Sequence, residues 1–158
     1  MPTSKTDITV RPARIDDART IADFNVAMAL ETEDKQLEER YILPGVEYLL
    51  STRGAGFYLV ALANGAAAGC LAITYEWSDW RCGNFWWIQS VYVHPDYRRL
   101  GVFRALYDDV MNAARAAPDC CGIRLYVEKE NTRAQQTYLD LGMIETGYRL
   151  FEVDFRNE

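Results

Sequence analysis

Apolar positions along the chain mark out short strands and helices. Residues 85–93 are β-branched or aromatic on both faces, as in a central strand that is covered on both sides. Pro95 ends this strand, because proline lacks the N–H that a β-ladder requires. Residues 102–111 then repeat apolar side chains at helical spacing. The pattern therefore predicts a strand, a turn and a helix, in that order.

The N-terminal part of the chain predicts an edge strand followed by a helix. Residues 8–12 suit an edge strand, where the proline at the end is tolerated. Either Asp16 or Asp17 can cap the helix that follows, because an aspartate accepts the free N–H groups of a first helical turn. Apolar side chains at helical spacing continue this helix towards Glu31.

Two turn-forming dipeptides mark the ends of the helix and strands that are predicted next. A second helix is predicted around residues 35–41, and the proline-glycine pair at 44–45 is expected to break the chain there. Further on, the asparagine-glycine pair at 64–65 separates two apolar runs, residues 57–62 and 67–77. Asparagine-glycine favours a type I′ turn, so these runs are predicted to form a β-hairpin.

Two more strands are predicted after the helix at 102–111. The strand at 123–127 is expected to lie parallel to the strand at 85–93, since a helix connects them. Residues 150–155 alternate apolar and polar side chains, which is typical of a half-buried strand. They are predicted to form the last strand of the sheet.

The turn after the strand at 85–93 carries residues that suit an anion. Arg98 and Arg99 precede Gly101, and the helix begins directly after this glycine. The first N–H groups of a helix have no partner inside the helix, and they carry the positive end of its dipole. This combination predicts a phosphate site.

The stretch from Val91 to Gly101 resembles the acyl-CoA-binding motif of the GNAT superfamily of N-acyltransferases. That motif reads (Gln/Arg)-x-x-Gly-x-(Gly/Ala) and follows a strand that ends in Val-x-Pro. Arg98 and Gly101 occupy its first two fixed positions. Phe103 occupies the third, where the family usually has glycine or alanine, so its side chain must point away from a bound pyrophosphate.

Residues 125–143 resemble the second fixed segment of the same family. The matching residues are Asn131, Ala134, Tyr138, Leu141, Gly142 and Met143. Asn131 and Tyr138 are seven residues apart and therefore share one face of a helix. Asn131 is predicted to cap this helix and Gly142 to end it.

The resemblance implies an α/β (α+β) GNAT fold in one domain covering residues 1–158. Its element order is βααβββαβαβ, with a mixed central sheet of six to seven strands flanked by helices. The implied activity is an acetyl-CoA-dependent N-acetyltransferase that acts on an amine of a small molecule or a protein. Acetyl-CoA serves as the acyl donor, and no metal is implied.

The resemblance also assigns roles to residues of the donor site. Strand backbone groups pair with the pantetheine arm and the acyl oxygen, the turn surrounds the pyrophosphate, and Asn131 contacts the CoA arm. The cofactor-binding positions are Val91, Tyr92, Val93, Arg98, Arg99, Gly101, Val102, Phe103, Arg104, Asn131 and Tyr138. Tyr138 protonates the departing thiolate, because a phenol with an ordinary pKa of about 10 is protonated at neutral pH.

Acidic residues are the candidates for the general base. Some family members have a glutamate five residues before the motif asparagine, but this chain has Tyr126 there. Glu76 and Glu128 could each act directly or through water, and each could equally be a surface carboxylate. Glu76 is preferred, because three neighbouring aromatic residues could desolvate it and make it a stronger base. Those neighbours are Tyr75, Trp77 and Trp80.

Contacts to the acceptor are expected from the segment between the first two strands and from the region around Glu76. The substrate-binding candidates are Glu31, Glu76, Asp79 and Tyr126, and Glu33 and Asp34 adjoin the first of them. A cluster of Trp77, Trp80, Trp86 and Trp87 is more often part of a core than a cation cage. With Asp79 it could nevertheless recognise an ammonium group.

The amino-acid composition of the chain excludes some classes of function. The net charge of −6 argues against a general binder of nucleic acids or anionic membranes, and it favours a cationic acceptor. Neither an apolar leader nor a membrane-spanning run is found in the sequence, so a cytoplasmic location is expected. The four cysteines lack zinc spacing and are expected to be reduced thiols.

Two other functions are compatible with the same residues. A catalytically silent module could bind acyl-CoA as a sensor, and it would have no need of Tyr138. An interaction domain could use the aromatic surface, and it would not bind CoA. A homodimer is also possible.

Overall fold

The computed structural model describes residues 4–156, which divide into two compact units. The first unit ends at Leu125 and the second begins at Tyr126. No helix within the described residues has the length and hydrophobicity needed to cross a membrane.

The first unit is a five-stranded sheet with helices on both faces. Its strands lie in the order β1-β2-β3-β4-β5, and all neighbours are antiparallel except β4 and β5, which are parallel. The elements are β1 (Ile8–Pro12), α1 (Ala18–Glu33), α2 (Glu39–Ser51), β2 (Gly56–Ala63), β3 (Ala66–Ser78), β4 (Gly83–Val93), α3 (Val102–Ala116) and β5 (Cys120–Arg124). The predictions of an edge strand at the N-terminus and of a parallel pair around the connecting helix are confirmed.

The two faces of the sheet pack against different helices. Cys70 and Ala72 of β3 are buried in one core cluster with Ile21 of α1 and Val46 of α2. On the opposite face, a Cβ placed on Gly69 would lie 3.2 Å from a methyl carbon of Val102 in α3. We refer to these as the α1/α2 face and the α3 face.

The hairpin between β2 and β3 has the predicted turn. Asn64 and Gly65 have φ values of 49° and 85°, as a type I′ turn requires. Asn64 also exchanges hydrogen bonds with Asp7, whose N–H donates to the Asn64 side-chain oxygen at 2.9 Å. This bond ties the turn to the residue before β1.

The predicted aspartate cap of α1 is confirmed only in position, at Asp17. Asp17 directly precedes α1, yet its side chain makes no capping bond to that helix. It accepts hydrogen bonds from the Arg11 guanidinium at 2.8 and 2.9 Å and from the Arg14 N–H at 2.7 Å. The hydrogen bonds from Arg11, and then the one from the Arg14 N–H, hold the pKa of Asp17 below its usual value against the opposing effect of burial.

The predicted chain break at Pro44 is wrong. Pro44 and Gly45 lie inside α2, which runs without interruption from Glu39 to Ser51. Proline removes one helical hydrogen bond here, but the helix buries Val46 against the core. Burial of the apolar face outweighs the local preference of the dipeptide.

The second unit contains one helix, α4 (Thr132–Asp140), and no strand among its described residues. The predicted last strand at residues 150–155 is therefore wrong, and the sheet has five strands instead of six to seven. Alternating apolar and polar side chains fit a strand with one buried face. A strand also needs a neighbouring strand whose backbone accepts and donates its hydrogen bonds. β5 also ends at Arg124, so Tyr126 and Glu128 follow the strand instead of lying in it.

Candidate active site

A β-bulge interrupts β4 directly before the turn with the arginines. Ser90 and Val91 together face Leu71 of β3, so the register shifts by one residue. Ser90 has a φ of 50°, which a serine seldom adopts. A bulge leaves its extra residue outside the ladder, and the Ser90 carbonyl here accepts from the Cys70 thiol at 3.6 Å.

Beside this bulge, the outer edge of β4 has no partner strand in the described part of the chain. β5 pairs with β4 only between Asn84 and Trp87. No described strand pairs with the outer edge of residues 88–93. An extended ligand with amide groups can bind such an edge in the way that an added strand does.

The turn after β4 leads into a helix whose first N–H groups are uncapped. A 3₁₀ turn at Pro95–Tyr97 is followed by Arg99 and Gly101, whose φ values are 64° and 86°. Gly101 stands at the N-cap of α3 and supplies no capping side chain. Because a Cβ at Gly101 would meet open space, an anion can approach these N–H groups.

The three arginines of this turn differ in their contacts. The Arg98 Nε donates to the Val93 carbonyl at 3.0 Å, and its Nη2 pairs with Glu31 at 2.7 Å. Arg104 pairs with Asp108 at 3.0 Å, one helical turn further along α3. Arg99 is exposed and forms no hydrogen bond or ion pair with residues 4–156.

Of three other predicted donor-site residues, two have buried side chains and the third, Phe103, is half-buried. Tyr92 is buried, with its ring 5.2 Å from that of Phe24. Val102 is also buried, so only the backbone of these two residues can reach a ligand. The Phe103 ring lies 6.1 Å from the Tyr107 ring on the next turn of α3.

Tyr92 also connects the core to the ion pair at Arg98. Its hydroxyl donates to a Glu31 oxygen at 3.4 Å, and the Arg98 guanidinium lies 5.7 Å from the centre of its ring. Burial, and then the negative charge of Glu31, raise the pKa of Tyr92. The structure thus joins two residues that the sequence assigns to different sites, Glu31 to the acceptor and Arg98 to the donor.

Glu76 forms an ion pair that sequence reasoning missed. Its Oε1 accepts from the Arg124 Nη1 at 2.7 Å, and the Arg124 guanidinium lies 3.6 Å from the centre of the Phe85 ring. The expected desolvation by aromatic residues is wrong, because the Glu76 side chain is 44% exposed and Trp80 is 86% exposed. Asp79 lies exposed in the same loop as Trp80.

The four tryptophans do not form one cluster. Trp86 is buried, and its ring contacts those of Phe57 and Tyr75 edge-on at 5.5 and 5.8 Å. Trp87 follows directly in the strand and so points to the opposite face. Trp77 and Trp80 are both exposed. The hypothesis of a four-tryptophan cation cage is therefore wrong.

In the second unit, the predicted ends of the motif helix are confirmed. The Asn131 Oδ1 accepts from the Ala134 N–H at 3.1 Å and caps α4. Gly142, with a φ of 92°, follows the last turn of that helix. Tyr138 lies on α4 and is half-buried, and burial raises its pKa.

The remaining candidates for acceptor binding and for the general base lie in the loop before α4. The Glu128 carboxylate accepts from the Glu130 N–H at 2.7 Å, and Tyr126 is exposed.

All four cysteines are free thiols. Among the described residues, no group of three or more His, Cys, Asp or Glu side chains is placed to hold a metal.

Sequence comparison identifies the family. The profile of the acetyltransferase (GNAT) family matches residues 22–143. A possible acetyltransferase from Clostridium difficile 630 is 45% identical, with a TM-score of 0.87 over 93% of this chain and 97% of that one. No curated protein sequence matches.

More distant solved structures share the fold. A ribosomal-protein-alanine N-acetyltransferase from Brucella melitensis biovar Abortus 2308 has a TM-score of 0.76 at 17% identity, covering 94% of this chain and 99% of that one. The aminoglycoside N-acetyltransferase AAC(6')-Iy in complex with CoA has a TM-score of 0.75 at 18% identity, covering 98% and 99%. The profile match and the 45% identical relative establish that this chain belongs to the GNAT family of acetyltransferases.

Proposed function

We propose that this chain transfers an acetyl group from acetyl-CoA to an amine of a small molecule or a protein. The observation that carries the proposal is the bulged strand that leads into the uncapped N-terminus of α3. Family membership supports acetyl transfer, and the related fold of an aminoglycoside N-acetyltransferase crystallised with CoA supports the choice of donor.

The residues of the turn fit the diphosphate of CoA. Arg99 brings an uncompensated positive charge next to the free N–H groups of α3, and Gly101 leaves space for the anion. Arg98 and Arg104 lie beside it in ion pairs with Glu31 and Asp108. The guanidinium of Arg99 forms no contact that a phosphate would have to displace. The outer edge of β4 has no partner strand at Val91 and Val93, which fits the amide groups of the pantetheine arm. The Val93 carbonyl there also accepts from the Arg98 Nε.

Acetyl transfer to an amine needs a base that accepts a proton from the nitrogen and an acid that donates a proton to the sulfur. The amine nitrogen attacks the thioester carbonyl carbon, so that a C–N bond forms as the C–S bond breaks. A cationic amine first releases one proton to solvent, because only the neutral nitrogen has a lone pair for the attack. The attacking nitrogen then loses a second proton to a base, and the sulfur of CoA gains one from an acid. We assign the acid to Tyr138, since burial favours the neutral phenol that can donate.

Three candidates can accept the amine proton: Glu76, Glu128 or water. Glu76 is held by Arg124 in the sheet unit, and Glu128 lies in the loop before α4. We place Glu76 on the acceptor side, together with Glu31 and Asp79 of the same unit. These side chains and the net charge of −6 favour an acceptor whose amino group is cationic in solution.

Calorimetry with acetyl-CoA, followed by an amine panel read out by thiol release, tests this proposal. We expect binding, and release of one thiol for each acetylated amine. Binding without acetylation of any amine would instead indicate a silent acyl-CoA module. Absence of binding would indicate an interaction domain. Both results would contradict the proposal.

A further inference from the structure

Arg124 reaches across the sheet to bind Glu76. Arg124 lies on β5 opposite Trp87 of β4, whereas Glu76 lies on β3 opposite Phe85 of β4. β3 and β5 are therefore separated by β4, which places them about 10 Å apart. The Arg124 side chain spans this distance and closes a 2.7 Å ion pair.

A glycine of β5 leaves space for the aromatic ring on which Arg124 stacks. Gly122 lies opposite Phe85, and a Cβ there would be 2.8 Å from the Phe85 Cε1. The ring can lie over the backbone of β5 only because Gly122 has no side chain. The guanidinium of Arg124 stacks on that ring at 3.6 Å, which fixes its plane.

Most of the hydrogen-bonding capacity of Arg124 is unused. A guanidinium has five N–H donors, and within the described part of the chain Arg124 donates only from Nη1 to Glu76. Arg81 also lies near the Phe85 ring, 5.0 Å from its centre. Two arginines and the carboxylate of Glu76 leave a net positive charge around this ring.

The ion pair lies on the same side of the sheet as the predicted acceptor contacts. Glu76 is on the same face of β3 as Cys70 and Ala72, which is the α1/α2 face. Trp87, opposite Arg124, is four residues along β4 from Val91 at the bulge, a distance of about 13 Å. An acceptor that extends along this face can place one end near the bulge and the other at Arg124.

We propose that Arg124, stacked on Phe85 and oriented by Glu76, binds an acidic group of the acceptor, so that the substrate is an amine that carries a carboxylate. The planar guanidinium matches a carboxylate with two parallel N–H donors, and Glu76 acts as the residue that positions it. This inference rests on the proposed function and adds an anionic group to the expected cationic amine.

The test compares acceptors that differ only in charge. The wild-type enzyme is assayed with ω-amino acids from glycine to aminododecanoate, each paired with its carboxamide, so that the longest acceptors span the distance of about 13 Å between the bulge and Arg124. We expect the best acid to exceed its amide by about 10-fold or more in kcat/KM, because hydrogen bonds between charged groups are stronger than neutral ones. Equal rates for the acids and amides would overturn the inference.

Variants show whether Arg124 is the source of this preference. Arg124→Gln is expected to lower the ratio of kcat/KM between the acid and its amide about 10-fold or more and to leave the affinity for acetyl-CoA within about two-fold. Arg124→Lys should restore part of the preference, since it keeps the charge but loses the paired donors. Arg115→Gln removes the same charge from exposed α3 on the other face and should change neither acceptor.

The possible failures are distinguishable. If the panel contains no acetylated amine at all, the proposed function fails. If amines are acetylated without preference for the acids, or if Arg124→Gln slows both acceptors equally, the proposed function survives and the carboxylate subsite does not. The wild-type comparison remains decisive if the variant fails to fold.

Discussion

Glu31 on α1 and Arg98 in the turn before α3 form an ion pair at 2.7 Å, although 67 residues separate them in the sequence. Arg98 is also held by the Val93 carbonyl, and the second oxygen of Glu31 accepts from the Tyr92 hydroxyl. A residue assigned to the acceptor wall thus neutralises one assigned to the donor. Binding of the two substrates is expected to be coupled through this pair.

Glu31→Gln should strengthen binding of acetyl-CoA. Arg98 keeps its bond to the Val93 carbonyl, so the variant removes an opposing charge without freeing the guanidinium. Because the pair is partly exposed, we expect a gain of only about two- to five-fold, which shrinks at high salt. Calorimetry measures it, with Glu33→Gln, an exposed position on the same helix, as the control. Weaker binding would show that Glu31 supports the donor site instead of opposing it.

Replacing Arg98 and Arg99 together with alanine should weaken binding of acetyl-CoA about 10-fold or more, since bonds to a charged phosphate are lost. The free energy of unfolding should change by about 1 kcal/mol or less, because both side chains are exposed. Calorimetry and urea unfolding measure the two effects. Unchanged affinity in this variant would exclude the turn as the diphosphate site.

Tyr138→Phe should lower kcat by a factor of about 10²–10⁴ with little change in the Kd for acetyl-CoA. The raised pKa of Tyr138 means that the acid stays protonated at neutral pH and is lost only as pH rises through that value. The wild-type rate should therefore fall at high pH, and the variant should lose this dependence. Tyr148→Phe, at an exposed tyrosine of the same unit, is the control. An unchanged single-turnover rate would remove Tyr138 from the mechanism.

Gly122→Ala should lower the free energy of unfolding by about 1–3 kcal/mol, because the added methyl group overlaps the Phe85 ring. Gly45→Ala is the matched control, since it lies in α2 with no neighbour within 4 Å. Alanine there should be neutral or stabilise the protein by up to about 1 kcal/mol. Chemical unfolding of both variants tests this contrast. Equal stability of the two would show that the ring does not depend on Gly122.

Local signals in the sequence were sufficient wherever one short segment determines the structure. The turn at Asn64 and the cap at Asn131 follow from the chemistry of single residues and their neighbours. The start of α3 after Gly101 follows in the same way. These predictions needed no knowledge of distant contacts.

Features that depend on residues far apart were not predictable in this way. Serine gives no sign of the bulge at Ser90, which arises from how β4 pairs with β3. The Glu76–Arg124 pair depends on strand register across three strands. The continuation of α2 through Pro44 depends on burial against the core. Residue types alone specify none of these contacts.

Transfer of a labelled acetyl group tests the central claim most directly. The wild-type protein is incubated with acetyl-CoA that carries an isotopic label in its acetyl carbonyl carbon, together with the amine panel, and the products are analysed by mass spectrometry. We predict that the label appears in an amide of one acceptor, in equal amount to the free CoA released, and that Tyr138→Phe slows its appearance. Saturable binding of acetyl-CoA with no label in any amide would contradict the account.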